Sequence, residues 1–149
     1  MLTLLGVSAS FWQCGSSSSS TPNPQDEQLK KLTKTWYAKG LPVTFNSAPV
    51  TGYDGFTLTM TGTNGQNTFN YTAAGRPSGI KTPWNSAGTF TFGTGSNFST
   101  LLTRDDNIVV TYSVSDTQLQ MTFTYVGAGY TGRTSNVEGT WAFTFDLVP

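Results

Sequence analysis

Cys14 is the single thiol of this 149-residue chain, and no histidine accompanies it. Without histidine the commonest general base, the usual Ser–His arrangements and most zinc sites are missing. Any catalysis would fall to carboxylates. Asp105 and Asp106 are adjacent. Neighbours on a tight turn do not face each other across a bond at the roughly 5–9.5 Å that glycoside hydrolysis requires. The run Asp105-Asp106-Asn107 reads instead as hairpin chemistry, because Asp and Asn favour turns and Asn tolerates a positive φ. Asp54 and Glu138 fall in other connecting segments, which leaves a carboxylate pair across them open. The residues assign no catalytic group, no metal ligand and no cofactor, and the chain reads as non-enzymatic.

The surroundings of Cys14 point to a different use for its thiol. Residues 1–13 are an apolar leader, Met1 to Trp12 and then Gln13. Its apolar core is the length of a signal-peptide h-region and too short to span a bilayer, which takes about 20 residues. Gly15 and five serines, Ser16 to Ser20, follow the cysteine, then Thr21-Pro22-Asn23-Pro24. A leader, one cysteine and a polar tether resemble the N-terminus of a bacterial lipoprotein. The resemblance implies cleavage before Cys14, acylation (palmitate-type) of that residue, and an outer-membrane location, lipid-anchored, on either the periplasmic face or the cell surface. The tether, residues 14–25, spans roughly 17–20 Å as a flexible coil.

One cysteine forms no intramolecular disulfide, so the remaining domain, residues 26–149, is held by its core alone. Formal net charge is zero and 11% of residues are charged, which excludes the basic footprint of a nucleic-acid binder. With 4 Trp, 6 Tyr and 10 Phe, the composition suits a packed core rather than a disordered tail.

One segment is helical, about Gln25 to Lys34. Asp26 and Glu27 suit its start, Lys30, Lys31 and Lys34 its end, and Leu29 and Leu32 share a face. The rest alternates with period two, as in Phe56-Thr-Leu58-Thr-Met60, Phe69-Asn-Tyr71, Phe90-Thr-Phe92, Ile108 to Val114, Leu119 to Tyr125 and Trp141 to Leu147. Such alternation puts large apolar groups on one face of a sheet and Thr, Ser, Asn and Gln on the other. An extended segment from Lys34 to Phe45, interrupted near Gly40-Leu41-Pro42, and a strand near Ser99–Thr103 bring the expected count to eight.

Connection lengths order these strands. The links at 62–67, 93–98 and 115–117 are short, and those at 46–55, 74–87 and 127–138 are long. In an up-and-down meander alternate links share an end. The long loops and the 105–107 turn therefore gather on one rim, and the helix enters the plain base opposite. The expected fold is all-β: an eight-stranded antiparallel up-and-down barrel with one short N-terminal helix, with a β-sandwich as the alternative. Tyr53, Arg76, Lys81, Trp84, Arg104, Tyr130 and Arg133 lie in or beside the long loops, and exposed Trp, Tyr and Arg are enriched at binding hot spots. They are the candidate residues for binding a ligand or partner.

Phe56, Phe69, Tyr71, Phe90, Phe92, Tyr112, Phe123, Tyr125, Trp141, Phe143 and Phe145 occupy the apolar phase. So many rings favour a filled barrel over a hollow one. Tyr71, Tyr112 and Tyr125 are the polar groups inside, each with a hydroxyl that needs a partner. Trp84 is also a candidate plug.

The segments Pro83-Trp84-Asn-Ser-Ala-Gly88-Thr-Phe90, Thr103-Arg104-Asp105-Asp106 and Gly139-Thr-Trp141-Ala-Phe143, with Thr35-Trp36 after the helix, resemble the lipocalin-like domains of Bacteroidetes lipoproteins. Thr35-Trp36 stands where true lipocalins carry Gly-x-Trp. The resemblance implies a lipocalin-like barrel and an envelope protein that binds a partner protein or a small molecule at its rim. The alternatives are a carrier of a small apolar ligand inside the barrel, and a glycan-binding or accessory subunit of an outer-membrane complex. Expected partners are the membrane, through the lipid, and an envelope complex or small apolar molecule, with no nucleic acid.

Overall fold

The computed structural model describes residues 20–78, 81–130 and 136–148. Cys14, the leader, most of the tether and Arg133 lie outside them.

The first element is α1 (Pro24–Leu32). Asn23 caps it, its side chain accepting from the Gln25 backbone N–H at 3.0 Å, and Pro24 opens the first turn, where a missing N–H costs nothing. Leu29 and Leu32 are fully buried against the barrel base. Gly62 makes that packing close. A Cβ there would stand 2.8 Å from Phe69 Cβ and 3.0 Å from Leu29 Cδ1.

Ten strands follow: β1 (Thr35–Tyr37), β2 (Val43–Phe45), β3 (Ala48–Pro49), β4 (Thr57–Thr61), β5 (Thr68–Ala74), β6 (Ala87–Phe92), β7 (Leu101–Arg104), β8 (Val109–Val114), β9 (Gln118–Tyr125) and β10 (Gly139–Asp146). From β4 to β10 each pairs antiparallel with the next, and β1 pairs with β4 at Trp36↔Leu58. Tyr37↔Asp146 joins β1 to β10 and closes an eight-stranded barrel of β1 and β4–β10. That closure sets aside the sandwich alternative.

The expected first strand is split. After Tyr37 the chain leaves the sheet, with Gly40 at φ 67°, and returns as β2 against β10, pairing Val43↔Phe143 and Phe45↔Trp141. Asn46 (φ 48°) and Ser47 (φ 67°) then turn it into β3. The strand expected near Ser99–Thr103 begins two residues later, because Gly95–Ser99 forms a 3-10 turn.

Alternation and burial coincide. Along β9 the outward residues are exposed and Leu119, Met121, Phe123 and Tyr125 are buried. Every aromatic expected on the apolar phase is buried. Trp36 seals the base, its indole N–H donating to Leu32 O at 2.9 Å. The connections sort as expected. Residues 46–56, 75–86, 105–108 and 126–138 lie at one end, and α1 with the short turns at the other.

Candidate functional site: the barrel mouth

Arg104 ends β7 at an inward position, and its side chain is 0% exposed. The turn after it is tight. Asn107 N–H donates to Arg104 O at 2.9 Å, Arg104 N–H to Ile108 O at 2.9 Å, and Asn107 takes φ 65°. Residues two apart on an extended chain share a face, so Asp106 comes back over Arg104. Its Oδ1 accepts from Arg104 Nε at 2.9 Å and its Oδ2 from Nη2, the one ion pair among the described residues.

The guanidinium is also walled by rings. Its carbon lies 5.2 Å from Trp84, 5.3 Å from Phe123 and 5.8 Å from Tyr125. Burial alone would lower the Arg104 pKa, but the hydrogen bonds and charge of Asp106 outweigh it and hold the group protonated. Burial likewise pushes the Asp106 carboxyl up, and the Arg104 bonds and charge bring it down, below its ordinary value.

Trp84 is a plug. It is 0% exposed, with ring centroids 5.8 Å from Phe56, 5.8 Å from Tyr71, 5.4 Å from Phe123 and 5.5 Å from Phe143. Its ring meets Tyr71, Phe123 and Phe143 edge-on, the geometry that ring quadrupoles favour.

Tyr53 is buried too, its hydroxyl 3.2 Å from Thr82 Oγ1 and its ring edge-on to Phe56 and Phe143. Burial raises its pKa to about 12.

Three of the seven expected rim residues, Tyr53, Trp84 and Arg104, are therefore not on the surface. The physical reason is common to them. A barrel of this size has room at its mouth for side chains, and large rings supplied by the long loops gain more by filling it than by facing water. Arg104 follows because β7 presents it inward and Asp106 neutralises it.

The remaining described rim residues are half-buried. Tyr130 donates its hydroxyl to Asp106 Oδ2 at 3.2 Å, and its backbone pairs with Thr82 through bonds of 3.2 and 2.9 Å. Burial, followed by the Asp106 charge, raises its pKa to about 12. Arg76 turns inward and donates from Nη1 to Trp84 O at 3.3 Å. Lys81 lies beside Thr82 and is also half-buried. Fully exposed charge at this end is carried by Asp54, Asp105 and Glu138. The structure thus gathers Tyr53, Arg76, Trp84, Arg104 and Tyr130 into one network and adds Thr82 and Asp106, which the sequence had not marked for it. The Arg104-x-Asp106 spacing at a strand end was the available signal.

Inside, Tyr112 donates to Phe98 O, and burial raises its pKa to about 12. Burial also raises the Tyr71 pKa, partly offset by the Arg104 charge. The larger concavities lie on the outside. One is an open groove of ≈ 480 Å³ along β8–β10, lined by Val109, Thr111, Thr122, Thr124, Val126 and Thr140 among others. Among the described residues no cluster of His, Cys, Asp and Glu is placed to hold a metal, and no helix is long and apolar enough to cross a membrane. Comparisons with family models, with curated proteins and with solved structures find no match to this chain.

Proposed function

We propose that this chain is a non-enzymatic, lipid-anchored envelope protein that recognises a partner through the outer surface of its loop-bearing end. One observation carries the reading: side chains fill the barrel from Trp36 at the base to Trp84 at the mouth. A small ligand site is ordinarily a cleft or cavity of several hundred Å³ that encloses most of the ligand. The filled interior therefore weighs against the carrier alternative and directs recognition to the outside.

Chain direction supports the choice of end. The tether from Cys14 leads into α1 at the base, which leaves the loop end facing away from an anchoring membrane. At that end the hydrogen-bond network ties the loops to one another, so a partner meets a surface that is already organised and has less to order on binding.

Two experiments test the two halves of the reading. Mass spectrometry of the mature N-terminus is expected to find acylated Cys14, and an unmodified Cys14 or cleavage elsewhere overturns the anchor. Affinity capture from envelope extracts, comparing wild type with an Arg76→Ala/Lys81→Ala variant, is expected to lose its specific partner in the variant. Identical capture by both overturns recognition through this end.

A further inference from the structure

The mouth holds two buried donors without an acceptor, Arg104 Nη1 and Trp84 Nε1. Unpaired buried donors are rare in folded proteins, and each carries a desolvation cost that opening to water would remove. Both belong to the group that seals the barrel. At the base the opposite holds: the Trp36 indole, equally buried, is fully bonded to Leu32 O at 2.9 Å.

The seal is also lightly attached. Trp84 is held by its neighbours' rings and by three bonds at the long end of the range: its N–H to Thr82 Oγ1 at 3.3 Å, its carbonyl from Arg76 Nη1 at 3.3 Å, and Thr82 Oγ1 with Tyr53 OH at 3.2 Å. The other side of the seal is Tyr130, which pairs with Thr82 through the backbone and donates to Asp106. The contacts form a ring running Trp84, Thr82, Tyr130, Asp106, Arg104 and back to Trp84. Breaking the Tyr130–Asp106 contact frees one side of the ring without disturbing any strand pair of the barrel.

We propose that the barrel mouth opens as a unit while the barrel stays folded, with Tyr130–Asp106 as its latch and Trp84 as the group released. Local opening below the global unfolding free energy is a general property of segments with few bonds. In this chain the released state gives both unpaired donors access to water. The charged groups facing the latch are Arg104 and Asp105, with Tyr71 and Tyr125 beside it. The inference stands apart from the proposed envelope role, because it concerns the isolated barrel.

Hydrogen exchange of the indole N–H groups in the full chain tests it, with Trp36 as the control in the same molecule. The expected result is exchange at Trp84 at least ~10-fold faster than at Trp36. A second variant closes the ring covalently. Thr82→Cys/Tyr130→Cys in a Cys14→Ser background joins two residues that already pair across an antiparallel bridge, and it is expected to slow Trp84 to the Trp36 rate. Tyr130→Phe, which removes only the latch hydroxyl, is expected to speed Trp84 and leave Trp36 unchanged. Equal exchange at Trp84 and Trp36 in wild type overturns the proposal. So does a Tyr130→Phe variant in which both indoles accelerate together, since that reports global destabilisation.

Discussion

The guanidinium of Arg104 lies 5.2 Å from the indole of Trp84, and both side chains are fully buried at the barrel mouth. Each completes the site of the other: the ring covers a charge that has left water, and the charge sits against the ring's negative face. The pair turns two residues that read as surface anchors into the seal of the barrel.

The ion pair behind that seal should respond unequally to its two partners. Asp106→Ala leaves a buried guanidinium uncompensated and is expected to cost about 3–5 kcal/mol. Arg104→Met/Asp106→Asn removes both charges and is expected to cost much less than the two single changes combined. Urea unfolding of the four proteins, arranged as a double-mutant cycle, measures the difference.

Trp84→Ala should destabilise by about 3–5 kcal/mol, as expected for deleting a large ring from a packed core. Trp84→Phe keeps much of the volume and removes the unpaired Nε1–H, and is expected to cost clearly less. The midpoint of chemical unfolding reports both. A Trp84→Ala protein as stable as wild type would mean that the ring is not the plug described above.

Stability should fall at both extremes of pH. The Asp106 carboxyl is held below its ordinary value, so its contribution is complete above the unfolded-state pKa of about 4 and is lost as pH falls through the folded-state value. The hydroxyls of Tyr53, Tyr112 and Tyr130 are raised to about 12. Their neutral forms therefore contribute stability that is complete below about pH 10 and is lost as pH rises towards 12. Thermal melts across pH 2–12 check both limbs, and Asp106→Asn is expected to flatten the acid limb alone.

Gly75 should accept no side chain. It holds φ 62°, and a Cβ there would lie 1.8 Å from the Gly55 carbonyl oxygen. Gly75→Ala is expected to destabilise the loop end by more than the roughly 1 kcal/mol of an ordinary backbone penalty, measured as a lowered Tm.

The barrel was legible in the sequence because period-two alternation runs through nearly every strand, and because loop lengths alternate long and short. Residues such as Phe90, Phe143 and Met121 declare their face by phase alone. The mouth was less legible. Trp84 lies in a loop, where no period tells inside from outside, and its direction follows from the size of the opening it fills. Arg104 carries the charge that ordinarily marks a surface. Only its partner two residues on, and the rings of Trp84, Phe123 and Tyr125 brought from distant segments, explain its burial. Thr82 gave no sequence signal, because its role comes from meeting Tyr53 and Tyr130 across the closed barrel. The split of the first strand into β1 and β2 was visible in Gly40-Leu41-Pro42, but the extra hairpin with β3 was not.

The account's central claim is that the loop end, and not the base, meets the partner. Site-specific photo-crosslinking in the intact envelope tests it most directly. A photoreactive residue replaces Lys81 at the mouth in one protein and Thr63, in the exposed β4–β5 turn at the base, in another. The predicted result is a discrete protein adduct from position 81 and none from position 63. An adduct from position 63 with none from position 81 would contradict the account.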